Sequence, residues 1–140
     1  MNDIKHELVA TLNELLEAER AGARVTLETA RQAQHPTIVE LMQYIQHDEA
    51  RWCAMLLRQI SELGGTASPR MGAFHAKAME IEDLKARLVF LNRGQGWVVR
   101  KLREMMPKVR DDGLHRDLAD MLQSHEVNIA RASDALKAAT

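Results

Sequence analysis

The feature that most limits how this chain can fold is how few helix breakers it has and where they fall. Three prolines and seven glycines occur in 140 residues, clustered so that they cut the chain into four long stretches. Inside a helix, proline costs about 3 kcal/mol and glycine about 1 kcal/mol relative to alanine, so these clusters mark helix ends. The first stretch reads as a helix over about 3–34. Pro36 suits the first turn of a second helix, where its missing N–H costs nothing, and that helix runs to about Leu63 before stopping at Gly64-Gly65. After the loop "TASPRMGAF", a third helix is expected over about 77–106, ended by Pro107, and Asp111 or Asp112 caps a fourth that reaches about residue 138. At 1.5 Å per residue these rods are about 40–48 Å long, which predicts an all-α four-helix bundle made of two antiparallel hairpins. The 64–76 connection spans up to about 3.3 Å per residue, enough to traverse such a bundle as a crossover.

The length fits a single domain, 1–140, with a core large enough to need no staples. Nineteen basic and twenty acidic side chains leave a formal charge of −1, which argues against nucleic acid or an anionic membrane as a partner. One cysteine, Cys53, excludes an internal disulfide framework and any multi-thiolate metal site. The charged start "MNDIKHEL" and the lack of a long apolar window show neither a signal peptide nor a membrane span, so a cytoplasmic protein is expected, and as a homodimer.

Spacing residues at 100° per position separates the inward stripe of each helix from its wet face. The first helix turns Ile4, Leu8, Leu12, Leu15, Gly22, Thr26 and Ala30 inward, with Glu19 among them. The second does so with Ile38, Met42, Ile45, Trp52, Leu56 and Ile60, with Glu49 near the centre. On the third, Gln95 sits in the middle of the stripe and Asn92 at its edge. On the fourth, His125 is central and Glu126 is turned toward one flank. Glu19 lies sixteen residues before His35 and Glu49 fourteen after it, so the first hairpin brings them to one level. Gln95 and His125 stand fourteen before and sixteen after Val109, with the same result. One polar layer, Glu19, Glu49, Gln95 and His125, is therefore expected inside an apolar core.

Such a layer needs an explanation, because an ionised carboxylate in an apolar interior costs several kcal/mol and otherwise takes up a proton. A bound cation resolves this, and inward carboxylates with an imidazole are suited to iron, manganese or zinc. Alternatively, Glu19 and Glu49 share a proton within a hydrogen-bonded network that includes Gln95 and His125. Gly94 and Gly96 flank Gln95 and leave it without neighbouring side chains, either for close helix packing or to open a pocket to a small molecule. "GQG" is not a phosphate loop, since it lacks the GxGxxG spacing and a preceding strand.

These positions resemble the ferritin-like superfamily, in which a four-helix bundle carries a di-iron site. Its pattern is Glu on the first helix, Glu-x-x-His on the second, Glu on the third and Glu-x-x-His on the fourth. Glu19 in "LLEAERAGARV" and Glu49 in "HDEARW" match carboxylate positions, but Trp52 stands where the second helix's histidine belongs. On the third helix Gln95 or Asn92 replaces the glutamate. On the fourth, "SHEVNI" offers Glu126 at the carboxylate position, Ile129 at the histidine position, and His125 one residue early. Together with "FLNRGQGWVVRKLRE", these segments look like a small uncharacterised group of bacterial ferritin-like proteins. The resemblance implies oxidoreductase ancestry and a degenerate site for one iron or manganese ion, in preference to two. Its metal ligands are drawn from Glu19, Glu49, His125 and Glu126, with Gln95 as a cofactor contact. The missing histidines also fit a non-catalytic interaction or scaffold bundle.

Cys53 reads as a small buried hydrophobe, Trp52 as core packing beside Glu49, and the eight methionines as gap fillers. His6, His35, His47, His75 and His115 read as solvent-facing or capping residues.

Overall fold

The turn chemistry of the sequence appears directly in the computed structural model, which describes residues 2–138, so residues 1, 139 and 140 of the expected domain lie outside the described residues. Helix α1 spans Asn2–Gln32, α2 Pro36–Glu62, α3 Phe74–Glu80, α4 Leu84–Met105 and α5 Asp112–Ala138, with a 3-10 turn at Met106–Lys108. At the first hairpin, His35 caps α2 by accepting from Thr37 N at 3.2 Å, and Pro36 follows it. Gly64 ends α2 in the left-handed region at φ 76°, which lets Gly65 N donate to Ile60 O at 2.9 Å. Asp111 Oδ1 accepts from Leu114 N at 2.8 Å and starts α5.

The expected continuous third helix is instead two. Ile81 is extended (φ −83°, ψ 103°), and the Asp83 carboxylate accepts from Ala86 N at 3.0 Å, starting α4 afresh. The break is held by Arg87, a buried guanidinium that donates to Ile81 O at 2.9 Å, Thr29 Oγ1 at 3.1 Å and Gln32 Oε1 at 2.6 Å. This cation thus sits at the C-terminal ends of α1 and α3, where free carbonyls and the helix dipole favour positive charge. A capping aspartate with no glycine or proline beside it left little trace in the sequence pattern.

Side-chain contacts trace the crossover. From the end of α2, where Gly65 lies against Val9, the chain climbs along α1. Asn13 Nδ2 donates to Thr66 O at 3.0 Å, Ser68 Oγ to Glu17 Oε2 at 2.8 Å, and Arg20 Nη1 to Ser68 O at 2.9 Å. His75 of α3 lies 3.2 Å from Glu28. Helix α4 then descends beside α1, from Arg87 near Thr29 to Lys101, which pairs with Glu14 at 2.9 Å. Helices α2 and α4 therefore run parallel on one diagonal and α1 and α5 on the other, a topology that requires the long connection.

The core falls into two apolar clusters. One contains Leu12, Leu15, Leu16, Trp52, Leu56, Val98, Leu102, Leu118 and Met121. The other contains Val25, Met42, Ile45, Leu88, Leu91 and Ala132. Each fully buried aliphatic side chain contributes about 1.5–3 kcal/mol relative to exposure. The outermost α1 members of the first cluster are Leu8 and Val9, so Ile4, expected in the inward stripe, projects past the core and is 60% exposed. Among the described residues, no helix is long and apolar enough to cross a membrane.

Candidate metal centre

Between the two clusters each long helix contributes a buried polar side chain to one layer, and α5 adds a second buried polar residue, Asn128. Going along each chain segment, Glu19 falls between Leu16 and Val25, Glu49 between Ile45 and Trp52, Gln95 between Leu91 and Val98, and His125 between Met121 and Ala132. All four are at most 3% exposed. One candidate donor atom from each of Glu19, Glu49 and His125 lies within 4.8 Å of the others.

The imidazole is held by its own helix. Its Nδ1 lies 3.1 Å from Met121 O, a partner that can only accept, so Nδ1 carries the proton and Nε2 faces the carboxylates. Nε2 is 2.6 Å from Glu19 Oε1, yet neither atom has a partner in hydrogen-bonding alignment, and Glu49 Oε2 has none either. Three buried donor atoms thus converge, Glu19 and His125 at ion-pair distance but out of hydrogen-bonding alignment and Glu49 Oε2 without a partner, an arrangement suited to ligands aimed at a common point.

Glu49 reaches this position because residue 22 has no side chain. A Cβ there would lie 1.8 Å from Glu49 Oε2, so the carboxylate occupies the volume that any other residue would fill. Gly22 stands on the inward stripe three residues after Glu19, and a glycine there, at a cost in helix stability, was the available sign of close approach.

The electrostatics reflect the crowding. Burial, then the neighbouring charge of Glu19, holds the Glu49 carboxyl well above its ordinary value. Burial works to lower His125, but Glu19 and the Met121 carbonyl outweigh it and the imidazole lies above its ordinary value. Burial, with the charges of Glu19 and Glu49 added, pushes the Cys53 thiol up to about 12, which makes it an unreactive thiol.

Glu126 does not join the layer. It is exposed and pairs with Arg103 at 2.8 Å, because one step along α5 rotates it about 100° from His125 and out of the bundle. Asn92 is also occupied elsewhere, donating to Ile129 O at 3.3 Å and Ser133 Oγ at 3.4 Å. His6, His35, His47 and His115 are exposed. Trp52 is buried as expected, and its indole donates to Ser124 Oγ at 3.1 Å. Ser124 and the buried Asn128 both donate to Asp48 Oδ2, at 3.2 and 3.0 Å, a polar network next to Glu49 in the chain that helical periodicity does not reveal. Of the two glycines around Gln95, only Gly94 is required. A Cβ there would lie 2.7 Å from the Phe74 ring, whereas one at Gly96 meets nothing closer than Arg100 at 3.5 Å.

The sequence profile of a domain family of unknown function, DUF6306, matches residues 6–135. No curated protein matches the chain. Among solved structures, the chain is similar to a crystal structure of ferritin-like, diiron-carboxylate proteins from Bacillus anthracis str. Ames, at a TM-score of 0.68 and 17% identity. The match covers 98% of this chain and 95% of that one, and shows that the fold is ferritin-like.

Proposed function

The chain belongs to the DUF6306 family, and from that premise we propose that it binds one transition-metal ion, iron or manganese, between Glu19, Glu49 and His125. The observation that carries this reading is the convergence of three buried donors, Glu19 Oε1, Glu49 Oε2 and His125 Nε2, none of which has an aligned hydrogen-bond partner. The fit to a metal is chemical as well as geometric. Two carboxylates and a neutral imidazole with its other nitrogen anchored form a donor set suited to iron(II) or manganese(II), and their two negative charges offset a divalent cation. The similar structure from Bacillus anthracis, described as that of diiron-carboxylate proteins, agrees with that donor set.

The residues fit one ion and not two. Trp52 and Ile129 stand where a second pair of donors would be needed, Gln95 is neutral, and Glu126 is bound to Arg103 at the surface. A bound ion supplies Lewis acidity and, if it changes oxidation state, one-electron chemistry. The chain's own part is to bring the three donors to one point, orient His125 through Met121, and flank the layer with apolar clusters on both sides, while a bound ion takes the place of the protons that the metal-free site favours on Glu49 and His125.

Elemental analysis of protein purified without an affinity tag tests the proposal. About one equivalent of iron or manganese after anaerobic loading is expected. Less than about a tenth of an equivalent of any transition metal favours the second reading, a metal-free scaffold bundle, which the apolar Trp52 and Ile129 support.

A further inference from the structure

A cavity of about 250 Å³ reaches the polar layer from the surface, between α1, the segment before α3, and α4. Its mouth lies at Met71, Gly72 and the half-exposed Trp97, and its walls are Phe74, Leu91 and Val98. At its inner end are Glu19, Glu49, His125 and Gln95. An apolar cavity of about 150 Å³ accommodates benzene, so this one takes an aromatic ring with a small substituent.

Gln95 is the unusual element of that lining. It is 3% exposed, and both its amide nitrogen and its amide oxygen lack a hydrogen-bond partner. A buried amide normally satisfies both, since leaving them unpaired costs more than the bonds are worth when made. One ligand group pairs with both at once: a carboxamide or lactam, which accepts from Nε2 and donates to Oε1. A carboxylic acid has the same shape, but with Glu19 and Glu49 offset by a bound ion the remaining charged group of the lining is Glu17, and no lysine or arginine is there to pair with an anion.

We propose that this cavity binds a small neutral molecule with an apolar or aromatic body and a carboxamide-type group, and that Gln95 pairs with that group beside Glu19, Glu49 and His125. The preference for a neutral ligand over a cationic one rests on the metal-binding reading above, in which a divalent ion offsets the two carboxylates. Gln95 is then a binding residue of the pocket, not a metal ligand.

Calorimetric titration with benzamide, toluene, benzoate and benzylammonium, on manganese-loaded wild type and Gln95→Met, tests this, with the metal content of both proteins measured alongside. Benzamide is expected to bind wild type about tenfold tighter than toluene, the effect of roughly one net hydrogen-bonded pair. Gln95→Met should bring benzamide down to the toluene level while leaving toluene affinity and metal content unchanged. Gln95→Leu repeats the comparison if the methionine variant does not fold. Equal affinities for benzamide and toluene in wild type, tightest binding by benzoate or benzylammonium, or no binding at all overturns the proposal. So does unchanged benzamide affinity in the Gln95 variants. If neither protein takes up metal but benzamide is still selected through Gln95, the metal reading fails and this one stands.

Discussion

Gly22 of α1 and Glu49 of α2 share one volume: a methyl group on residue 22 would lie 1.8 Å from Glu49 Oε2 and 2.7 Å from Glu49 Cδ. The carboxylate end of a glutamate can swing aside, so the conflict is resolved by moving the ligand while the helices stay in place. Alanine also gains about 1 kcal/mol of helix propensity over glycine. Gly22→Ala is therefore expected to fold with a melting temperature at or above that of wild type and to bind metal at least about tenfold more weakly. A variant that keeps full metal affinity would show that Glu49 does not need this position.

The stability of the metal-free protein should fall as pH rises. Glu49 and His125 both have folded values above their ordinary ones, 4.5 and 6.5, so each binds its proton more tightly in the native state than in the unfolded chain. Their contributions are fully present below those ordinary values and are lost as pH rises through the raised ones. Denaturant titrations between about pH 5 and pH 9 should show declining stability for chelated protein. Glu49→Gln, which mimics the protonated carboxyl, should flatten that decline and remove metal binding. Added metal should reverse the trend in wild type, since it binds the deprotonated donors.

Neighbouring residues on α5 should behave oppositely. His125→Ala removes the imidazole whose Nε2 lies 2.6 Å from Glu19 and leaves two buried carboxylates together, at a cost of about 2–3 kcal/mol. It should also abolish metal uptake. Glu126→Ala, at an exposed pair with Arg103, should change stability by less than about 0.5 kcal/mol and leave metal content unchanged. Loss of metal in the Glu126 variant would restore that residue to the ligand set.

The two glycines beside Gln95 should separate just as clearly. At Gly94 a Cβ meets the Phe74 ring at 2.7 Å, and that ring is stacked on Phe90 at 4.9 Å between centroids, so the aromatic pair cannot readily yield. Gly94→Ala should cost about 1–3 kcal/mol and loosen α3. At Gly96 the nearest atom is Arg100 Nη1 at 3.5 Å, ordinary contact, and Gly96→Ala should stabilise by about 0.5–1 kcal/mol. Thermal melts of the pair, with hydrogen exchange of α3, give the comparison.

By itself the amino-acid sequence determined the four rods, their hairpin turns and the level of the inward polar groups, because helix breakers and the 3.6-residue period act locally and survive without knowledge of neighbours. Glu19, Glu49, Gln95 and His125 were legible for that reason. The break at Ile81–Asp83 was not, since it depends on Arg87 reaching Ile81 O and the end of α1. Only the tertiary structure decided that Glu49 fills the space left by Gly22, that Glu126 turns to Arg103 at the surface, and that a cavity walled by Phe74, Leu91 and Val98 opens onto Gln95. Each of these depends on the distance between side chains on different helices, which is set by how the helices pack and which no single helix's periodicity contains.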